Sequence, residues 1–287
     1  MGVSNTIVYK EDWAVTLQEA LDEPVKWKEI CRVDYTDSKV LHNPYLTDAT
    51  IASHSRGTAY TFNTITQTDE SVTIDTSYIM AQFIDRADLA QSGYAVQMEI
   101  AKRQGVMINE QLESAVLGSY GSLTDFGAGD LAGTSSADST GFTVSVTNID
   151  DIIRAIKRVI NTASGQSLAE RNGIFIVWRP ADFEMLEAYM MANGFATADV
   201  ALKNGGQQGM TYMGVTHYSS NLLTAHHVIA GVKKVLHLGI CKSTYGQIMV
   251  NEKDPDNYSG VGIVSRVDYK VKAWANTKPV LFDVNVL

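Results

Sequence analysis

The stretch that decides the fold is an extended arm that runs into a helix. Residues 50–76 read TIASHSRGTAYTFNTITQTDESVTIDT, and residues 77–118 continue as SYIMAQFIDRADLAQSGYAVQMEIAKRQGVMINEQLESAVLG. The first segment is rich in serine and threonine and predicts a strand–loop–strand arm. The second predicts one helix of about ten turns or more, at about 3.6 residues per turn. An arm of this length is typical of a subunit that reaches its neighbours and unusual in a compact enzyme.

Alternating side chains predict two strands in the arm. Tyr60 and Phe62 alternate with polar residues, and on the return Val72 and Ile74 do the same. A period of two with β-branched and aromatic residues is the strand pattern. Because an isolated two-stranded ribbon is marginal in water, we expect the arm to pack on another surface. The alternative is an ordinary hairpin on the sheet of its own domain.

Apolar side chains form one stripe along the predicted helix, at spacings of three and four residues. An unbroken helix of this span would be roughly 60 Å long. The competing interpretation is a coiled coil, but Gly93, Gly105 and the many alanines of the stripe disfavour a leucine or isoleucine zipper. The predicted core face of the helix comprises Phe83, Tyr94, Met98, Ala101, Ile108 and Leu112.

The second half of the chain predicts an α+β domain, because helices are followed by strands in one unit. Helices are expected over Ile149–Ala163, after the candidate N-cap Asn148, and over Ala181–Ala192, after Pro180. A buried strand, Ile174–Trp178, lies between them. Strand candidates towards the end are Met210–Tyr218, His227–Leu236, Gln247–Val250, Gly262–Trp274 and Val280–Val286.

Two further segments are expected to be largely irregular. Residues 1–46 read as an arm lying on other surfaces, with a short amphipathic helix over Asp12–Ala20. Residues 118–141 are rich in glycine, serine and alanine and predict a loop.

The composition excludes several classes of protein. The chain has 287 residues, 45% of them apolar, and a net charge of −9. It lacks the run of about 18 apolar residues that a membrane span needs. Its lysines and arginines form only short groups, whereas binding by phosphate neutralisation needs a basic patch. The two cysteines, Cys31 and Cys241, are far apart and are expected to be reduced thiols.

The motifs give no catalytic, cofactor-binding or metal-binding prediction. GAGDLAG at 127–133 has one residue too many for a dinucleotide fingerprint, and a loop follows it instead of a helix. DPDNYSG at 254–260 begins like a calcium loop, but Ser265 stands at the twelfth position, where a bidentate carboxylate is needed. The alternative from another class is a soluble α+β enzyme with a site near His217, His226 and Asp182.

The order of elements resembles the major capsid proteins of tailed bacteriophages, the Hong Kong 97 fold, which encapsulin shells share. TAYTFNTITQTDESVTIDT stands in the place of the extended loop of that family, and ADLAQSGYAVQMEIAKRQGVMINEQLESAVLG in the place of its spine helix. NGGQQGMTYMGVTHYSSNLL at 204–223 is similar to its glycine-rich stretch, and GVGIVSRVDYKVKAWANTKPVLFDVNV to its C-terminal strands. The match covers nearly the whole chain as a pattern.

The resemblance implies an α+β fold with an N-terminal arm, an extended β-hairpin loop, a peripheral domain with the spine helix, and an axial domain. It implies the boundaries 1–46 for the arm, 47–76 for the loop, 77–145 and 229–275 for the peripheral domain, and 146–228 and 276–287 for the axial domain. Inter-subunit contacts of the loop are expected at Arg56, Tyr60, Phe62, Asp69 and Glu70.

The implied function is structural, not enzymatic. Copies of the chain would assemble through pentamers and hexamers into an icosahedral shell that encloses double-stranded DNA without sequence-specific binding. The expected locations are the virion capsid and, during assembly, the host cytoplasm. A portal and cement proteins are further partners that the resemblance suggests. An encapsulin-like compartment that holds protein cargo is the alternative within the fold.

Two departures from the family pattern affect these expectations. Members that cross-link their shells carry a lysine in the extended loop, and residues 50–76 contain none. Covalent cross-linking is therefore not expected. Many members also begin with a scaffolding region of about a hundred residues, whereas this sequence starts with a short arm. The resemblance then implies a separate scaffolding protein, or none.

Overall fold

The structure is a computed structural model that describes residues 25–46, 51–59, 62–85, 88, 96–134, 137–163, 165–193, 210–246, 248–251 and 260–287. The predicted helix Asp12–Ala20 and the predicted site residues Tyr60 and Tyr94 lie outside these ranges.

Strands predominate at both ends of the described chain, and most of the helices lie between them. The α-helices are α1 Trp27–Ile30, α2 Val96–Leu117, α3 Ala128–Ala132, α4 Ile149–Thr162, α5 Gln166–Asn172 and α6 Pro180–Ala192. The strands are β1 Arg32–Thr36, β2 Val40–Leu46, β3 Gln67–Thr73, β4 Thr76–Asp85, β5 Thr124–Phe126, β6 Ile174–Trp178, β7 Met210–Tyr212, β8 Val215–Ser219, β9 His227–Val232, β10 His237–Cys241, β11 Ile248–Asn251, β12 Gly260–Lys272 and β13 Leu281–Asn285. Within the described ranges these strands form three sheets.

The six-stranded sheet has the order β5-β13-β9-β6-β8-β7, and helices α3, α4, α5 and α6 contact its strands. All five residues of β6 are buried, as expected for a central strand with an uninterrupted apolar sequence. Helix α4 contacts β9 through a stripe of isoleucines, among them Ile149, Ile153 and Ile160, at helical spacing. Helix α6 starts at Pro180, whose fixed φ suits a first helical position. Its buried residues belong to one cluster that continues into α2 and the second sheet, with Leu112 and Ile240 among its members.

The second sheet is organised around the long strand β12. Strand β4 pairs with it antiparallel over ten positions, from Gly260↔Asp85 to Tyr269↔Thr76, and β10 and β11 also pair with it. Helix α2 packs on β12. Gln104 of α2 accepts a hydrogen bond from the Ser265 hydroxyl at 2.6 Å and donates to the Ile263 carbonyl at 3.3 Å. The helix is therefore fixed across the sheet by polar as well as apolar contacts.

The predicted helix over 77–118 is wrong in its first part. Residues Thr76–Asp85 form a strand, and the described helix spans Val96–Leu117, which corresponds to roughly 33 Å. The apolar spacing around Phe83 fits a helix locally. The backbone amides and carbonyls of this segment instead form the antiparallel hydrogen bonds of the pairing with β12. That partner lies almost two hundred residues later in the sequence, so no local pattern indicates it.

The predicted arm strands also need correction. The partner of β3 is β2, from the segment that was expected to be an irregular arm, and residues 62–66 are not in a strand. The segment 118–141, predicted as a loop, contains β5 and α3. The predicted strand His227–Leu236 ends earlier, at Val232, and strand β10 lies at His237–Cys241, where no strand was predicted.

The later predictions agree better with the structure. Helix Ile149–Thr162, strand Ile174–Trp178 and the helix after Pro180 are confirmed, within one residue at each end. The predicted strand Met210–Tyr218 is a hairpin, because Met213 and Gly214 both have positive φ, as a two-residue primed turn requires. The predicted boundary at 228/229 falls inside β9, which pairs with β6 and β13 in the six-stranded sheet.

Candidate functional site: the hairpin arm and the groove beside it

A hairpin arm, defined here as residues 40–73, projects from the second sheet. Strands β2 and β3 pair from Val40↔Thr73 to Leu46↔Gln67. Beyond the last pair, every described residue of the connection, 51–59 and 62–66, is exposed. The described residues of this tip therefore form no core of their own.

The tip of the arm nevertheless carries large apolar side chains. Leu46 is 62% exposed, Ile51 98%, Phe62 84% and Ile65 78%. A single exposed apolar residue is ordinary on a protein surface. Four on one projecting segment, each more than half exposed in the structure, are typical of an interaction surface.

Apolar contacts hold the root of the arm on the body of its own chain. Val72 and Ile74 are buried there. A Cβ at Gly239 would come within 2.7 Å of Leu41 Cδ1, so a glycine at this position of β10 lets β2 approach closely. The root is thus ordered by the described chain itself, in contrast to the tip.

Charged groups reinforce the root. The Glu70 carboxylate accepts a hydrogen bond from the Ala275 amide at 2.9 Å and pairs with Lys272 at 2.9 Å. Its slight desolvation acts to raise the pKa of Glu70, but the hydrogen bonds and the charge of Lys272 outweigh it and hold that pKa below its usual range. Asp75 similarly pairs with Lys270 at 2.8 Å.

The predicted contact residues of the arm divide into two groups. Arg56 and Phe62 are exposed at the tip. Asp69 pairs with His42 of the neighbouring strand at 2.6 Å, and Glu70 holds the root. The sequence analysis missed Ile51 and Ile65, although isolated apolar residues in a stretch rich in serine and threonine are a signal that could have identified them.

A groove runs between β4 and α2. It has a volume of about 300 Å³, and its lining includes Tyr78, Ile79, Met107 and Ile108. Ile79 and Met107 are exposed, and Phe83 of β4 is exposed as well. The rim of the groove also carries polar groups, Glu110, Gln111 and Ser114. This groove is a second apolar surface, next to the arm in the sequence and on the same sheet as its root.

The predicted core face of the helix is only partly in the core. Ile108 and Leu112 are buried, and Ala101 is half-buried. Met98 is 74% exposed, and Phe83, 48% exposed, lies on β4 and not on the helix, so the prediction is wrong for these two. The error at Phe83 follows from the helix boundary, because this residue lies in a strand, whereas Met98 lies on the helix but in an exposed position.

The residues of the alternative enzyme site each have separate structural partners. His217 is fully buried and accepts a hydrogen bond from Trp178 Nε1 at 3.0 Å, and burial lowers its pKa to about 4, so it is neutral near pH 7. Asp182 pairs with Arg179 at 2.7 Å. His226 lies in a turn with its Nδ1 3.1 Å from the Val286 carbonyl. No shared hydrogen bond joins these three residues.

The glycine-rich motif at 127–133 has its amides occupied by carboxylates of the same chain. Asp130 Oδ2 accepts hydrogen bonds from the amides of Gly127 and Asp138, and Asp138 accepts from Gly129 at 2.6 Å. These amides are the donors that a phosphate would require. Among the residues that the structure describes, no group of three or more histidine, cysteine or acidic side chains could hold a metal ion.

In the described part of the chain, no helix is both long and apolar enough to cross a membrane. No protein-family model and no curated protein sequence matches the chain.

Solved structures match it along nearly its whole length. A chain from Mycobacterium phage Che8 is 14% identical, with 98% of both chains covered and a TM-score of 0.71. A chain from Gordonia phage Cozz is 15% identical, covering 97% of this chain and 91% of that one, with a TM-score of 0.67. The mature capsid of bacteriophage PhiM1 is 14% identical, covering 97% and 92%, with a TM-score of 0.66. The chain therefore has the α+β fold of tailed-phage capsid structures, the Hong Kong 97 fold that the sequence resembles.

Proposed function

We propose that the chain is a major capsid protein whose copies assemble into a closed icosahedral shell around a double-stranded DNA genome. The observation that carries this proposal is the arm, whose tip is exposed along its described length and presents Leu46, Ile51, Phe62 and Ile65 to solvent. A lone chain gains nothing from four such side chains, whereas a shell covers them with neighbouring subunits. The fold shared with phage capsid structures supports the same conclusion.

The groove between β4 and α2 is the surface that we assign to a neighbour's arm. Ile79 and Met107 supply exposed apolar area, and burying apolar surface contributes about 25 cal/mol per Å². The tip brings Arg56, and the groove rim carries Glu110. Apolar area at the centre with opposite charges at the rim is the usual anatomy of a protein interface. A contact between two different surfaces of the same chain is heterologous, and such contacts generate rings.

Repeated contacts of this kind would form pentamers and hexamers, which close the shell. The net charge of −9 is compatible with a wall that encloses DNA without binding it specifically. The expected partners are further copies of the chain, a separate scaffolding protein if one is used, a portal and cement proteins. The protein would act in the virion capsid after assembly in the host cytoplasm, and it would have no enzymatic role.

The proposal is tested by removing the apolar side chains of the arm while keeping its length. The variant Ile51→Ser/Phe62→Ser/Ile65→Ser should remain folded, because these residues contribute nothing to the described core. It should fail to form particles in light scattering and negative-stain electron microscopy. The matched control, Ser53→Ala/Thr64→Ala/Thr66→Ala, changes exposed polar residues of the same segment and should assemble like the wild type.

The contents of the particles separate the proposed function from its alternative. Particles from infected cells should contain double-stranded DNA, whereas an encapsulin-like compartment would contain protein cargo and no genome. If the triple serine variant forms particles with the yield and thermal stability of the wild type, the arm is not the assembly element and the proposal fails.

A further inference from the structure

Glu113 of α2 is a charged residue type in a fully buried position. Its Oε2 accepts hydrogen bonds from the backbone amides of Lys26 at 2.9 Å and Trp27 at 2.6 Å. These amides lie at the start of α1, where N–H groups lack partners within the helix. One carboxyl group therefore connects α2 to the segment 25–31, which joins the body of the protein to the preceding chain.

The second oxygen of Glu113 has no comparable contact. Oε1 is buried and, within the described residues, has no hydrogen-bond partner. The neighbouring positions Leu112 and Val116 and the facing residues Trp27 and Ile30 belong to the buried apolar core. A buried ionised carboxylate with one bare oxygen is costly, and adding a proton to that oxygen removes the charge.

The groups around Glu113 only partly compensate for its burial. Burial raises the pKa of Glu113 to about 7, against the lowering effect of the two amide hydrogen bonds and of Lys26, while Glu29 raises it further. The Lys26 ammonium also forms an ion pair with the Glu29 carboxylate at 3.9 Å, so its charge does not act on Glu113 alone. Glu29 in turn accepts a hydrogen bond from the Tyr218 hydroxyl at 2.7 Å.

The other titratable groups near this contact do not supply a counter-charge. Burial, together with the nearby Glu113, raises the pKa of the Cys31 thiol far above its ordinary range, so Cys31 stays neutral. The Lys234 ammonium donates to the Lys28 carbonyl. The charge of Glu113 is therefore balanced mainly by two backbone amides.

We propose that Glu113 is a proton-controlled latch that fastens the segment 25–31 to helix α2. With the carboxyl neutral, Oε2 still accepts both amide hydrogen bonds and the segment stays docked. With the carboxyl ionised, detachment of the segment gives the charge access to water. This inference goes beyond shell formation and does not depend on it.

The direction of the pH dependence follows from the raised pKa. The docked state holds the proton up to about pH 7, whereas a detached Glu113 loses it near the ordinary value of 4.5. Docking is therefore strongest below pH 4.5, weakens as the pH rises from 4.5 to 7, and is constant above that. The segment is held in acid and loosened at neutral pH.

Amide hydrogen exchange of the full-length protein tests the latch. After correction for the intrinsic pH dependence of exchange, protection of the Trp27 amide should fall roughly fiftyfold between pH 5 and pH 7.5. The amide of Ile156, in the core of α4, serves as an internal reference and should not follow this fall. Protection at Trp27 that is constant with pH, or that falls in parallel with Ile156, would overturn the proposal.

Two variants assign the effect to the carboxyl group. Glu113→Gln keeps an acceptor for both amides but cannot ionise, so it should abolish the pH dependence at Trp27. The control Glu99→Gln changes another glutamate of α2 and should leave it intact. If Glu113→Gln does not fold, the infrared carbonyl band of a protonated buried carboxyl in the wild type decides the question. That band should persist to about pH 7, and its loss near pH 4.5 would contradict the latch.

Discussion

The six-stranded sheet and the hairpin arm differ in what stabilises them. In the sheet, β6 is buried along its whole length, and the isoleucines of α4 pack on the adjacent strand β9. In the arm, the tip residues 51–59 and 62–66 are exposed, and buried contacts begin only at Val72 and Ile74. The sheet is thus buried by other parts of the described chain, whereas the tip of the arm is exposed, which is what the proposed contact with a neighbouring copy requires.

The sharpest test of this contrast is the same substitution in both regions. Ile156→Ala removes a fully buried side chain of α4 and should lower the free energy of unfolding by about 2–5 kcal/mol. Ile51→Ala changes a residue that is 98% exposed and should alter it by less than about 0.5 kcal/mol. Urea unfolding of the unassembled protein measures both values. Equal losses would show that the arm is part of the core.

Acid should destabilise the six-stranded sheet through His217. Burial lowers the pKa of His217 to about 4 from its ordinary value of 6.5, so the unfolded chain takes up a proton that the folded chain excludes. The contribution of the neutral, buried His217 to the free energy of unfolding is fully present above pH 6.5. It decreases as the pH falls towards 4, by roughly 2–3 kcal/mol at pH 4.5.

His217→Gln should remove this part of the acid sensitivity, because glutamine offers Trp178 Nε1 an acceptor without titrating. Urea unfolding at pH 7.5 and pH 4.5 gives the change for each protein. The prediction fails if the variant loses as much stability on acidification as the wild type.

A substitution at the root of the arm should change the free energy of unfolding less than these core substitutions do. Glu70→Gln removes the charge that pairs with Lys272, at a partly solvated position near the surface where an ion pair contributes less than about 1 kcal/mol. Since the pKa of Glu70 is lowered in the folded protein, its contribution is present above its ordinary pKa of 4.5 and is lost as the pH falls.

Exchange of the Ala275 amide, which donates to Glu70, measures this effect locally. Faster exchange at Ala275 without a change in global stability is the expected result. A global loss of several kcal/mol would mean that the root of the arm belongs to the main core.

No covalent effect is expected in the arm, because residues 50–76 contain no lysine. Assembled particles heated in SDS should give single chains of 31.4 kDa on a denaturing gel. A ladder of covalent multimers would show that the arm forms cross-links by another route.

Where the local sequence pattern and the tertiary packing favour the same secondary structure, the sequence predicted the element correctly. The apolar run Ile174–Trp178 and the isoleucine spacing of α4 each determine an element whose partners are close in the chain or in the same sheet. The fold class and the resemblance to capsid proteins were predictable from the order of such elements.

Where pairing with a distant segment determines the secondary structure, the local sequence pattern gave the wrong prediction. The segment Thr76–Asp85 has a helical spacing of apolar residues, but β12 captures it as a strand. Strand β5 depends in the same way on β13, near the end of the chain, whereas β2 pairs with β3 of the same arm. The site was predictable as an exposed arm, but Ile51 and Ile65 were missed because β-sheet alternation, and not exposure, guided the choice of residues.

Electron cryomicroscopy of particles assembled from the full-length chain would show where each arm lies. We expect a closed icosahedral shell in which the tip of every arm, including Ile51, Phe62 and Ile65, lies on a neighbouring subunit beside Ile79 and Met107. A protein that remains monomeric at high concentration would contradict it. So would a shell in which each arm folds back onto its own subunit and leaves the groove between β4 and α2 open.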